Sequence, residues 1–91
     1  MVYIINYRLH SPGKDYEALY KVIKGISGTY WHNTTSSWLV ESQLMAAQIY
    51  NLLSPHVDKN DEIAIFLLEG DWYGQLLNDD LKWLEDVMSR T

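Results

Sequence analysis

Val2-Tyr3-Ile4-Ile5-Asn6-Tyr7-Arg8-Leu9 carries the strongest structural signal in the chain. Its β-branched and aromatic residues fit a pleated surface, so the stretch reads as a strand. Alternation places Tyr3, Ile5, Tyr7 and Leu9 on one face, and Val2, Ile4, Asn6 and Arg8 on the other. Both faces begin apolar, which predicts a central strand covered on both sides. A second stretch, Glu62-Ile63-Ala64-Ile65-Phe66-Leu67-Leu68, is again apolar on both faces.

The residues between them supply the connections. His10-Ser11-Pro12-Gly13-Lys14 breaks the first strand with a Pro-Gly turn. Asp15 is a suitable helix N-cap, and Tyr16, Leu19, Tyr20, Ile23 and Ile26 then recur at helical spacing. Lys21 and Lys24 fall on the far half of that helix, where the dipole favours cations, and Gly25 and Gly28 mark its end. Thr29 to His32 and Ser37 to Glu41, separated by the polar Asn33-Thr34-Thr35-Ser36, read as a β-hairpin. Ser42 is expected to cap a second helix bearing Leu44, Met45, Ile49, Leu52 and Leu53, which ends at Ser54-Pro55. Asp58 to Asp61 is a polar loop, and Gly70-Asp71 turns the chain. Trp72-Tyr73-Gly74 reads as a short edge strand or a loop. Asn78 caps a final helix with Asp79 and Asp80 at its positive end. Leu77, Leu81, Leu84 and Met88 form its stripe, with Trp83 and Val87 beside it.

Strand, helix, strand, strand, helix, strand is the order of an α+β, ferredoxin-like βαββαβ sandwich, here with an extra C-terminal helix. At 91 residues the chain is one domain (1–91), with a core over about 2–68 and a tail helix over about 78–89. In that fold both helices lie on one face of the sheet. The other face is too apolar here to stand in water. Two covers are expected: a homodimer burying the open faces, or the tail helix folding across its own sheet.

Composition removes several classes of function. Hydrophobic residues at 47% exclude a disordered chain. No apolar run approaches the roughly 18 residues of a membrane span, and no basic region precedes the first apolar stretch as in a signal peptide. The reading is a cytoplasmic protein with no membrane partner. There are no cysteines, which rules out disulfides and thiolate zinc sites. A formal charge of −5 argues against broad non-specific binding to nucleic acid, but leaves room for one small cationic pocket.

Ile5-Asn6-Tyr7-Arg8-Leu9 followed by Ser11-Pro12-Gly13-Lys14-Asp15-Tyr16 resembles a strand-one signature of the form I-N-Y-D-L-x-x-P-G-x-x-Y. Trp31-His32, Ser37-Trp38-Leu39-Val40 and Ser54-Pro55 fall where the same family has similar residues. From about Val2 to Leu68 the chain thus resembles small bacterial and phage proteins labelled "SinR family". These are similar in turn to the small CRISPR-associated endoribonuclease and the virulence-associated toxin VapD. The resemblance implies a ferredoxin-like homodimer. It also implies an aspartate at the end of strand one that faces its dimer mate and holds a divalent metal, magnesium, for phosphodiester cleavage. Non-catalytic scaffolding is a second family role. In this chain the matching position is Arg8. An arginine stays protonated and has no acceptor, so it cannot ligate a cation.

Arg8 is therefore the most informative residue. Its guanidinium fork suits a phosphate, and His10, Ser11, the Gly13 N–H and Lys14 follow as further donors. The plainer alternative is a salt bridge to one of the acids. Tyr7, Tyr30, Trp31, Trp38, Trp72 and Tyr73 offer faces for stacking a base. Trp31 and Trp38 are expected in the core or a dimer interface, whereas Trp72-Tyr73 sits in a surface turn and suits a ligand or partner. The histidines show no zinc spacing. Asp58-Lys59-Asn60-Asp61-Glu62 lacks the glycine and distant glutamate of a calcium loop.

Three functions follow as expectations. The first is a non-catalytic homodimeric binding protein holding an anionic ligand, a nucleotide signal or a short RNA, in bacterial defence or phage counter-defence. Its ligand-binding residues are Tyr7, Arg8, His10, Ser11, Lys14, Trp72 and Tyr73, with no metal or cofactor. The second is an endoribonuclease toxin, using magnesium with Asp15, or a metal-free route through His32. The third is a scaffold whose edge strand, tail helix or Trp72-Tyr73 meets a protein partner.

Overall fold

The computed structural model describes residues 1–10, 16–26, 28–32 and 36–90. Ser11, Lys14 and Asp15 lie outside the described residues. In chain order the elements are β1 (Val2–Arg8), α1 (Glu17–Ile26), β2 (Tyr30–Trp31), β3 (Ser37–Glu41), α2 (Ala46–Leu53) with a 3-10 turn over Ser54–His56, β4 (Glu62–Leu68) and α3 (Asn78–Ser89). The described strands form one antiparallel sheet in the order β2-β3-β1-β4. This is the ferredoxin-like α+β sandwich with an added C-terminal helix, and β1 is central, as its two apolar faces require.

Register assigns the faces. Tyr3, Ile5 and Tyr7 lie opposite Val40 and Trp38 of β3 and opposite Leu67, Ile65 and Ile63 of β4. This face buries Leu19 and Ile23 of α1 and Ile49 and Leu53 of α2 in the main core. The opposite face carries Val2, Ile4, Asn6 and Arg8 beside Leu39 and Ser37 on one flank, and Leu68, Phe66, Ala64 and Glu62 on the other.

The tail helix answers part of the need for a cover. Leu84 and Val87 of α3 are buried with Val2 in a second cluster, which Leu39, Leu68, Trp72, Leu76, Trp83 and Met88 surround. Arg90 then fastens the helix end, donating from Nε and Nη2 to the Glu41 carboxylate at 3.1 and 2.9 Å. These bonds hold the Glu41 carboxyl below its usual range, and the Glu41 and Asp86 carboxylates raise Arg90 above its own. The cover reaches only the Val2 end. Phe66 remains 55% exposed, and Asn6 and Arg8 are exposed at the other end.

Two local expectations are corrected and one is resolved. Ser42 does not cap α2. Its Oγ accepts from the Leu44 N–H in a preceding turn, and the helix starts at Ala46, with the Met45 N–H donating to Gln48 Oε1. Leu77, expected on the apolar stripe of α3, is 74% exposed because it is the N-cap, outside the helical period. Asn78 is thus the first helical residue rather than the cap. Trp72-Tyr73-Gly74 takes the loop form of its two expected alternatives.

Candidate functional site

At the uncovered end of the open face, β1 delivers Asn6 and Arg8 two residues apart on the same side. Arg8 Nη1 stands 3.9 Å from Glu62 Oε2 across the ladder, with side chains 73% and 70% exposed. So long and wet a pair contributes at most about 1 kcal/mol and yields readily to a better anion. Ser37 Oγ donates to Asn6 Oδ1 at 3.0 Å, leaving the Asn6 amide nitrogen as a donor. Asn6, Arg8, Ser36, Glu62 and Ala64 line a shallow hollow of about 530 Å³. Beyond Ala64 the exposed ring of Phe66 continues the same face. Glu62 opposes Arg8, so Phe66 sits about 13 Å farther along the sheet at strand rise.

Asp61 holds this end of the sheet together. Its carboxylate accepts from the His10 N–H at 2.7 Å, from the Asp58 N–H at 2.8 Å and from the Tyr16 hydroxyl at 2.9 Å. One side chain therefore joins the chain after β1, the approach to α1 and the turn before β4. Sequence reasoning read Asp61 only as part of a solvated loop. Asn6, Ser37, Glu62 and Phe66 also gain meaning only from the register.

The sequence candidates do not all converge. Tyr7 turns the other way into the main core and is 6% exposed, and its hydroxyl accepts from Trp38 Nε1–H at 3.0 Å. Burial raises the Tyr7 phenol above its ordinary value, while the Trp38 bond pulls it down. His32 stacks on Trp38, with ring centroids 3.7 Å apart, and so belongs to the helix-covered face rather than to Arg8. Trp38 is 1% exposed, as expected of a core residue. Trp31 is half-buried on the α3 side, and its Nε1 finds no hydrogen-bond partner among the described residues. Trp72 packs against the Val2–Leu84–Val87 cluster, about 20 Å from Arg8 along β1 at strand rise. Tyr73 is fully exposed in the loop. His10 is exposed and enters the site region through its backbone.

A larger hollow of about 920 Å³ lies at the far end, between α1 and α2, with Val22, Ile26, Leu44 and Leu52 in its wall and Arg90 on its rim. Arg90 is already neutralised there by Glu41 and Asp86, so that rim offers no cation to an anionic ligand. No three His, Asp or Glu side chains gather into a metal-binding group among the described residues, and no described helix is long and apolar enough to cross a membrane. Set against family models, curated proteins and solved structures, the chain has no match.

Proposed function

We propose that this chain is a small binding protein that holds an anionic ligand, a nucleotide or a short RNA, on the open face of its sheet. The observation that carries the reading is the exposed Arg8 guanidinium, paired only loosely with Glu62 and sharing its face with the Asn6 amide and the Phe66 ring. A phosphate accepts two parallel bonds from the guanidinium fork. A base a nucleotide or two away lies flat on Phe66. The apolar floor at Ala64 lets a sugar pass between them. The likeness of β1 to strand one of the "SinR family" supports the same place, because Arg8 stands where those relatives carry their aspartate. The net charge of −5 keeps the affinity for long nucleic acid low, so a short ligand suits the surface best.

The test is a pair of assays on one labelled single-stranded RNA. Binding is expected for the natural protein and lost in Arg8→Ala. Cleavage is read with magnesium, with manganese and with chelator, beside Arg8→Asp. Binding without cleavage supports the reading. Cleavage by the natural protein overturns it in favour of the endoribonuclease. Binding that survives Arg8→Ala places the ligand elsewhere and also overturns it.

A further inference from the structure

The order of the described strands leaves β4 at an edge, and the strand's own residues carry few of the usual protections. Glu62-Ile63-Ala64-Ile65-Phe66-Leu67-Leu68 is a seven-residue strand with no proline, no lysine and no inward charge. Natural edges of this length and apolarity are normally blunted or covered. The hydrogen-bonding phase of the sheet shows which backbone groups are open. The Tyr7 N–H donates to Ser36 O, and the Ser42 N–H to Met1 O, so odd residues of β1 bond towards β3. Even residues of β1 therefore bond towards β4, to Leu68, Phe66, Ala64 and Glu62. Ile63, Ile65 and Leu67 must then turn their N–H and C=O groups outward.

We infer that β4 is a self-pairing edge, which joins the β4 of a second copy about a two-fold axis at Ile65 to give one continuous antiparallel sheet. In that register Ile65 meets the partner's Ile65, and Ile63 meets the partner's Leu67. Each such opposed pair exchanges two bonds, about six in all, and every outward group of both strands is used. On the open face, large meets small, because the exposed Phe66 lies against the partner's Ala64. On the helix-covered face the partner's Leu67, 44% exposed in the single chain, lies against Ile63. Tyr50, 46% exposed on α2, lines a hollow with Ile63 and so continues the apolar surface that receives this leucine. Glu62 faces the partner's Leu68, so no like charges oppose each other within the paired strands.

Just beyond the strands, Asp61 lies opposite the partner's Glu69, so salt is expected to strengthen association by screening the ends. A strand pair of this length, widened only by Tyr50, Phe66 and Leu67, is smaller than the roughly 1,200–2,000 Å² of standard stable interfaces. The dimer is therefore concentration-dependent. It differs from a dimer built by stacking the open faces, because it leaves Arg8 free. It sets the two Arg8 side chains about 25 Å apart at strand rise and spacing, so the inference does not rest on the proposed ligand.

The experiment joins sedimentation equilibrium over a wide concentration series with amide hydrogen exchange. The mass is expected to rise from 10.6 kDa towards twice that value, and at high concentration Ile63, Ile65 and Leu67 gain the protection of their even-numbered neighbours. Leu67→Pro removes an outward donor without touching the bonds to β1, and is expected to return the mass to one chain with unchanged circular dichroism. Leu67→Lys does the same by charge should the proline disturb the strand, and Ile4→Asp leaves the dimer intact. A single-chain mass throughout overturns the inference, and then an edge partner, if any, is another protein. A dimer whose Ile65 amide still exchanges rapidly, or which Ile4→Asp abolishes and Leu67→Lys spares, also overturns it.

Discussion

Tyr7→Phe tests the packing that separates the two faces of β1. The Tyr7 hydroxyl is the acceptor for Trp38 Nε1–H at 3.0 Å, and the two residues are 6% and 1% exposed. Removing the oxygen leaves a buried donor unpaired, at a cost of about 1–3 kcal/mol, whereas the ring and its apolar contacts persist. For a domain of this size, that is a fall in Tm of about 5–15 °C. Thermal unfolding followed by Trp fluorescence reads it. A pH arm makes the prediction specific. The folded Tyr7 phenol is raised by burial, so its stabilising effect is complete below the ordinary value of about 10 and is lost as pH rises beyond it. The natural protein is expected to lose stability there, and Tyr7→Phe to lose less. Ligand binding is expected to be unchanged in the variant, because Tyr7 and Arg8 point to opposite faces. A Tm within a degree of the natural protein, with the same alkaline loss, refutes the assignment of this bond.

Leu84→Ala, which hollows the cluster under α3, is expected to cost about 2–5 kcal/mol in denaturant unfolding and to expose the Val2 end of the sheet to hydrophobic dyes. Glu41→Gln is expected to lower Tm at neutral pH. The Arg90 bonds depress the Glu41 pKa, so their contribution is present above the ordinary carboxyl value and disappears as pH falls through the folded one. The two melting curves should therefore converge in acid. Trp31→Phe deletes an enclosed N–H that has no described partner, and is expected to leave Tm unchanged or raise it.

The fold was legible because its signals are local. The alternation in β1, the hairpin turn before Ser37 and the helical spacing of Leu19 and Ile23 each point the same way, and the element order leaves few topologies. The site was legible only in part. Arg8 stood out because it occupies the position of the aspartate in the family that β1 resembles, and the period of two placed it on the same face as Asn6. That same period puts Tyr7 on the other face, so adjacency to Arg8 was a poor guide to a shared site. Glu62, Ser37 and Phe66 join Arg8 through cross-strand register, which no local pattern encodes. Trp72 looked like a surface contact because glycines flank its turn, but it is partly buried and packs against the Val2–Leu84–Val87 cluster. Asp61 looked like one acid among several, and only the meeting of three chain segments shows its part.

Titrating the protein with a short single-stranded RNA of a few nucleotides, followed residue by residue through its backbone amide resonances, tests directly whether the open face around Arg8 holds the ligand. Saturable shifts are expected to centre on Asn6, Arg8, Glu62, Ala64 and Phe66, to shrink at high salt and to be absent in Arg8→Ala. Shifts confined to the hollow between α1 and α2, or a spectrum that does not move, would contradict it.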